Sequence, residues 1–355
     1  MFYIGIVGCG WIIEKAYLPV LSNMEDIIIS AVFDINLDRA YRIQTKYKIK
    51  NIFDNIGDFL NSEIDAVIVA TPNNTHSYYS RVCLMAGKHV LCEKPVAFSK
   101  EEIEYIISIS REKQKVFLPA FVNRFRKDIQ TYIEWVSRMK EVKKVEVRWI
   151  RKSGIPKPGT WITNKKMSGG GALIDIGTHI LDIGVMFIPN KTIQSVCMEQ
   201  GKSRNIEYEK AQWNDTNIEE HLPMNVETWA KGKIKFENDV ELEFNTSWAS
   251  DIEEDITEIV VRSNTGIVCI KTLFGFSDNF IRDRIEISYK NEDEEEKKNF
   301  LPMKNTFAID AFEKLIRYFL DSIRGGILDK LEPIDSIYVV DIIEKLYQLF
   351  TKEDK

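Results

Sequence analysis

Cysteine is scarce and unorganised in this chain of 355 residues. The five, Cys9, Cys83, Cys92, Cys197 and Cys269, are an odd number with no C-x-x-C pair and no histidine at zinc-finger spacing. That excludes a disulfide framework and a structural zinc module, and leaves reduced, mostly buried thiols. Basic excess is lacking too, with 48 Lys and Arg against 54 Asp and Glu and a formal net charge of −6. Nucleic acid and anionic membrane surfaces are held by clustered cations, so neither is expected as the main partner. No basic region or cleavage site accompanies the apolar run Phe2 to Val7, which argues against a signal peptide and for a reducing cytoplasm. The longest apolar stretch, Gly171 to Pro189, is broken by Asp175, His179 and Asp182, groups too costly to place in a bilayer, so no membrane span is expected. What is present, 44% hydrophobic and 29% charged residues, suits a globular chain. At about 100 to 200 residues per domain, its length predicts two domains, each with its own core.

The first third alternates short β-rich runs with amphipathic helical stretches. Strands are predicted at Phe2 to Val7, Ile27 to Phe33, Ala66 to Ala70, His89 to Cys92 and Val116 to Pro119. Helices are predicted near Glu14 to Asn23, Leu37 to Tyr47, Thr75 to Ala86 and Lys100 to Lys113. Parallel strands need crossover helices, so this alternation predicts a doubly wound α/β (Rossmann) domain over residues 1–122. Beyond it, apolar and charged residues alternate at period two in Lys233 to Phe236 and Val240 to Phe244, around the turn Glu237-Asn-Asp239. This pattern gives a sheet with one buried and one wet face, and 123–355 is read as an α+β domain with a large, mostly antiparallel open sheet. Two helices, Phe307 to Arg324 and Asp335 to Phe350, close the chain and can pack back on the first domain. The acidic run Asn291 to Glu296 reads as a solvated hairpin tip.

Strand one runs into Gly8-Cys9-Gly10-Trp11-Ile12-Ile13 and then a helix, the place where a dinucleotide fold needs glycines. Gly8 allows a tight turn and Gly10 lets backbone approach a pyrophosphate at the helix N-terminus, with Trp11 and Ile12 completing the loop. Ile13 departs from the usual Gly or Ala at the third position and predicts wider packing of helix on strand. Asp34 ends strand two, where a carboxylate can accept from adenosine ribose hydroxyls and repel a 2′-phosphate; NAD is thus favoured over NADP. A helix N-terminal acid would look the same at Asp34 taken alone. Strands four and five deliver Thr71-Pro72-Asn73 with His76, and Glu93-Lys94-Pro95, at their carboxyl ends, where open α/β sheets bind ligands.

With these segments the sequence resembles the glucose-fructose oxidoreductase and inositol dehydrogenase family, Gfo/Idh/MocA. The matches run in family order over essentially the whole chain: G-x-G, T-P-N, E-K-P, Asn123-Arg124, Trp161, and Gly169-Gly-Gly171-Ala-Leu-Ile-Asp175-Ile-Gly-Thr-His179-Ile-Leu-Asp182. The resemblance implies an NAD(P)-dependent dehydrogenase or reductase of sugars and polyols. It places Gly8, Gly10, Trp11, Ile12, Asp34, Thr71, Pro72, Asn73, His76, Glu93, Lys94 and Asn123 at the cofactor, and Lys94, Asp175 and His179 at the chemistry. A homo-oligomer, dimer or tetramer, is implied in the same way.

The residues read alone agree with the catalytic part. Asp175, His179 and Asp182 fall one turn apart on a helix that is otherwise apolar, and polar groups on such a helix must face a cavity or find partners. Asp182 serves equally well as a purely structural group, and the three carry too few His or Cys for a zinc site. Oxidising a secondary alcohol requires a base for the hydroxyl proton as hydride leaves carbon. His179 is assigned as base, Lys94 as donor to the alkoxide and Asp175 as substrate ligand, with Lys94 and His179 able to exchange roles. The run Gly169 to Gly171 is read as room for a ligand to approach closely. Arg124, Arg151, Lys152, Lys165 and Lys166, with Trp161 among them, form a basic cluster ahead of this helix. They are expected to meet the anionic group of a sugar phosphate such as glucose 6-phosphate, oxidised at the 3-hydroxyl, although a solvated basic loop would read the same. Nucleotide-sugar and inositol dehydrogenases are the alternatives within the family. Outside it stand an NAD-using glycosidase and a non-catalytic NAD-binding regulator, the latter disfavoured because Lys94 and His179 are both retained.

Overall fold

The structure is a computed structural model that describes residues 1–203, 223–277, 279, 284–291, 297–302, 307–326 and 331–351. The chain divides into two compact units, residues 1–122 with 312–337, and residues 123–311 with 338–355.

In the first unit six strands pair in the order β3-β2-β1-β4-β5-β6: β1 Phe2–Val7, β2 Ile27–Phe33, β3 Asn51–Phe53, β4 Ala66–Val69, β5 His89–Cys92 and β6 Phe117–Pro119. All five pairings are parallel. Ile4, Ile6, Val67, Ile68, Val90 and Leu91 are essentially inaccessible, which is why these strands read as unbroken apolar runs rather than alternating ones. The order of the strands reverses between β1 and β4, the switch point where the loops after both strands splay apart. Side-chain caps start the connecting helices. Asn36 accepts from Asp38 N and Arg39 N to open Leu37–Tyr47, and Ser99 accepts from Glu102 N to open Lys100–Glu112. The short β3 and the helix Ile56–Leu60 after it, capped by Asn55, have too few residues to show a period and carry no signal in the sequence pattern.

The second unit is built on eight strands in the order β14-β13-β12-β11-β7-β10-β9-β8. They are β7 Val142–Ile150, β8 Ile193–Gly201, β9 Trp229–Phe236, β10 Glu241–Ser247, β11 Ile256–Ser263, β12 Gly266–Thr272, β13 Arg284–Lys290 and β14 Lys297–Pro302. Only β7 and β10 run parallel; the other pairings are antiparallel. The expected β9–β10 hairpin is present, with Asp239 in the left-handed region (φ 59°) at its turn. Val145, Val147, Leu242 and Phe244 face the core. The opposite face is laced with ion pairs, Lys144 with Glu243 at 2.8 Å and Lys233 with Glu241 and Glu243 at 3.1 Å. The helix Thr178–Met186 lies on the apolar face, and Gly184 allows the contact: a Cβ there would stand 2.9 Å from Leu242 and 3.1 Å from Val147.

The closing helices span Phe307–Arg324, ended by Gly326 at φ 62°, and Leu331–Thr351. The second begins earlier than its pattern suggests, because Pro333 falls in the first turn, where an N–H is not needed. The residues 292–296 of the acidic run lie outside the described residues.

Candidate active site

The cofactor side is assembled in the first unit at the ends of β1, β2, β4 and β5. Gly8 has φ +95°, and a Cβ on it would sit 2.6 Å from the Ala70 carbonyl oxygen, so only glycine fits this turn. At Gly10 an added Cβ would meet no atom within 4 Å. Nothing inside the protein therefore requires glycine there, which fits the close approach of a pyrophosphate. The chain then enters a wide π turn over Ile13–Tyr17, with no side chain capping it, and Ile13 is wholly buried at its start. Trp11 and Ile12 are half-buried on the loop.

Asp34 accepts from Cys9 N at 2.7 Å and from Asn36 N at 2.8 Å. It thus fixes the glycine loop to the end of β2, and a carboxylate with about four acceptor positions retains capacity for a ribose hydroxyl. The Cys9 thiol beside it is pushed far up by burial and by the Asp34 charge, which keeps it inert.

The T-P-N and E-K-P segments are joined by His76. Its Nδ1 lies 2.7 Å from the Pro95 carbonyl oxygen and its Nε2 lies 2.7 Å from that of Thr71. Burial pushes its pKa down to about 4. Expected among the cofactor ligands, His76 is buried between two backbone carbonyls; the neutral ring has one N–H, which donates to one of them, and it packs between the two loops. Asn73 opens the helix Asn73–Met85 and is buried, while Thr71 and Pro72 are half-buried. Glu93 is buried, accepts from Tyr17 Oη at 2.8 Å and from Lys94 N at 3.2 Å, and burial pushes its pKa up. Tyr17, in the turn after the glycine loop, is a residue that the sequence reading misses; a polar tip on a core aromatic is the signal that could find it. Within residues 90–97, Lys94 alone is not buried.

The residues expected to meet the substrate, apart from Lys94, lie in the second unit. Here the expectation about the triple glycine is corrected. A Cβ on Gly170 would stand 1.9 Å from Tyr347 Oη, and one on Gly171 would stand 1.8 Å from the Glu227 carbonyl oxygen. The close approach that these glycines permit is that of the protein's own Glu227 and Tyr347. From them the chain enters a second wide turn, Leu173–Gly177, and continues as Thr178–Met186. Of residues 170–185 only Asp175 and His179 are not buried. Asp175 Oδ2 accepts from Trp248 Nε1 at 2.9 Å, and the His179 ring lies 5.9 Å from that of Trp149. Trp248, fully buried just after β10, is also missed by sequence reasoning, since nothing in its local pattern marks a partner 73 residues away.

Asp182 takes the structural alternative. It is buried and accepts from Arg124 Nε and Nη2 at 2.6 to 3.1 Å, a two-pronged pair that satisfies both charges. Arg124, expected to meet substrate, is held in that pair. Arg151 lies 3.7 Å from Asp255 Oδ2, and Asp255 also accepts through Oδ1 from Lys152 N at 2.8 Å. The basic cluster is thus divided, and Lys152, Lys165 and Lys166 are its exposed members, with Lys165 Nζ 6.0 Å from the Tyr347 ring. Trp161 is half-buried in a short turn, Trp161–Thr163, and Asn123 is buried in another, Val122–Phe125. Among the described residues no His, Cys, Asp and Glu cluster as metal ligands, and no helix is long and apolar enough to cross a membrane.

Residues 2–121 match the oxidoreductase family with an NAD-binding Rossmann fold, and residues 138–268 match the GFO/IDH/MocA C-terminal domain. The D-glucoside 3-dehydrogenase of Escherichia coli is 30% identical over 71% of this chain and 71% of its own. The glucose-6-phosphate 3-dehydrogenase of Bacillus subtilis is 30% identical over 51% of this chain and 52% of its own. Among solved structures, levoglucosan dehydrogenase with NADH and levoglucosan superposes with a TM-score of 0.78 at 16% identity, covering 99% of this chain and 98% of that one. The two matched domains together span well over half of the sequence, and the chain belongs to the GFO/IDH/MocA family of NAD-binding sugar oxidoreductases.

Proposed function

We propose that the protein oxidises the C3 hydroxyl of a glucose-type sugar, with NAD preferred over NADP. The observation that carries this reading is the exposure pattern of the substrate helix. The sixteen positions from 170 to 185 are buried except at Asp175 and His179, a carboxylate and an imidazole one turn apart. Both relatives named above act, by name, at position 3 of a glucosyl unit.

Bound NAD supplies the hydride acceptor. His179 takes the hydroxyl proton, Lys94 donates a hydrogen bond to the oxygen as negative charge builds on it, and Asp175 accepts from a neighbouring sugar hydroxyl. The Trp248 N–H on Asp175 Oδ2 fixes the orientation of that carboxylate. Asp34 supports NAD preference by presenting a carboxylate where a 2′-phosphate would stand.

A sugar phosphate is the favoured substrate within this class, supported by the exposed Lys165 and Lys166 and by the likeness to a glucose-6-phosphate 3-dehydrogenase. With Arg124 and Arg151 engaged elsewhere, the exposed Lys165 and Lys166, together with Lys152, are the groups assigned to the phosphate. We further read the protein as a cytoplasmic homo-oligomer; its five free cysteines support a reducing setting.

The test is a panel of methyl glucoside, glucose 6-phosphate, a nucleotide-linked glucose and inositol with NAD, read as NADH formed and by identification of the keto product. A 3-keto sugar from glucose 6-phosphate is the expected result. Turnover of inositol alone would move the protein to the inositol dehydrogenases, and sugar cleavage without net NADH would make it a glycosidase.

A further inference from the structure

Glu227 stands two residues before β9 and is buried. Its carboxylate accepts from Gly171 N at 2.9 and 3.0 Å, from Leu173 N at 3.1 Å and from Tyr347 Oη at 2.8 Å. Its own carbonyl accepts from Ala172 N at 3.1 Å. One residue thus takes three consecutive backbone N–H groups, the groups that a helix start leaves without partners. A buried carboxylate is costly unless all its bonds are made, and here every contact offers it a hydrogen. The negative charge also sits at the favourable end of the helix dipole. Burial pushes the carboxyl's pKa up while these donors pull it down.

The clamped turn leads directly to the two open positions of the helix. Asp175 N donates to the Gly171 carbonyl at 2.9 Å, so Asp175 is one hydrogen bond from the clamp, and His179 follows one turn later. The glycines at 170 and 171 admit the clamp, since a methyl group on either would collide with Tyr347 or Glu227.

We propose that Glu227, backed by Tyr347, is a positioning residue for the reaction: it sets the depth and rotation of the helix that presents Asp175 and His179. This rests on the catalytic reading given above for those two side chains. Displacement of a reacting group by about 1 Å costs roughly a hundredfold in rate, so loosening this turn should be felt in kcat. The oxygen Oε1 takes Leu173 N, Tyr347 Oη and one bond from Gly171 N, and a glutamine can keep that oxygen in place.

The experiment compares Glu227→Ala, Glu227→Gln and Tyr347→Phe in the full chain by sugar oxidation, NAD affinity, and backbone hydrogen exchange over residues 171–179. Glu227→Ala should exchange faster across that segment and lose about ten- to a hundredfold in kcat, with NAD affinity within about twofold of the parent. Glu227→Gln should recover most of the loss, and Tyr347→Phe should fall between. A Glu227→Ala protein that melts earlier but keeps its kcat at temperatures where it is folded would overturn the proposal. Should that variant not fold, Tyr347→Phe decides, and parental exchange together with parental kcat overturns it. If the unmodified protein oxidises no sugar, the catalytic reading fails, whereas the exchange data still test the clamp separately.

Discussion

Two glycine-rich runs open two helices in this chain, and they are put to opposite uses. Gly8 to Gly10 precedes a wide turn over Ile13–Tyr17, and Gly169 to Gly171 precedes one over Leu173–Gly177. At the first, the space beside Gly10 is open and no side chain caps the turn. At the second, the space beside Gly170 and Gly171 is filled by Tyr347 and Glu227, and Glu227 also consumes the free N–H groups. One helix start has no capping side chain and is the one proposed to meet the cofactor's pyrophosphate, and the other is closed by an anion from within. Glycine before a helix signals close approach, and only the fold says by what.

The largest effects should separate chemistry from cofactor capture. Lys94→Ala and His179→Ala are each expected to lower kcat by about 10² to 10⁴ while NAD affinity holds, because neither belongs to the open helix start. Near-parental turnover in a folded variant would remove that residue from the mechanism.

Gly10→Ala and Gly171→Ala test the contrast directly. The first should leave the melting temperature alone and weaken NAD binding by about tenfold or more, since the added methyl meets only the ligand. The second should cost about 1 to 3 kcal/mol of stability, as Glu227 must move, with little change in NAD affinity. The reverse pattern would abolish the distinction between the two runs.

Acid should act on the buried histidine beside the first run. His76 takes up a proton near pH 6.5 in the unfolded chain but holds out until about 4 when folded. The unfolded state binds more protons in between, so this contribution is complete above about pH 6.5 and is lost as pH falls toward 4. Its size is on the order of 3 kcal/mol. Glu93 and Glu227 work in the other sense, since their raised pKa makes stability decline as pH rises through the carboxylate range. Urea midpoints of the parent and His76→Gln, measured from pH 7 to 4, isolate the histidine; equal slopes would dismiss it.

The smallest change concerns selectivity. Asp34→Ser should narrow the preference for NAD over NADP and also loosen the glycine loop through the lost bond from Cys9 N. Equal affinity of the parent for both cofactors would refute the role given to Asp34.

The elements that local pattern encodes are legible in the sequence. The unbroken apolar strands of the first unit, the alternating hairpin of the second, and the Asp175–His179 spacing all follow from periods of two and 3.6. The same stripe contains Asp182, yet its fate differs, because Arg124 is 58 residues away in sequence and no period announces it. The clamp is illegible for the same reason, with Glu227 lying 56 residues from Gly171 and 120 from Tyr347. Long-range partners are chosen by topology, and a glycine's emptiness carries no record of what fills it.

The parallel pairing of β7 with β10 has a consequence for how the chain is made. β7 occupies the middle of its sheet, yet Lys144 must wait for Glu241, about a hundred residues later, before that edge can close. Its other neighbour, β11, comes later still. At translation speeds of roughly 5 to 20 residues per second, a strand rich in Val and Ile spends several seconds on the ribosome with both edges unpaired. The second unit's nascent chain is therefore where chaperone contact and off-pathway strand pairing should concentrate, while the six parallel strands of the first unit, all within residues 2–119, can pair before that unit's last segment, residues 312–337, is made.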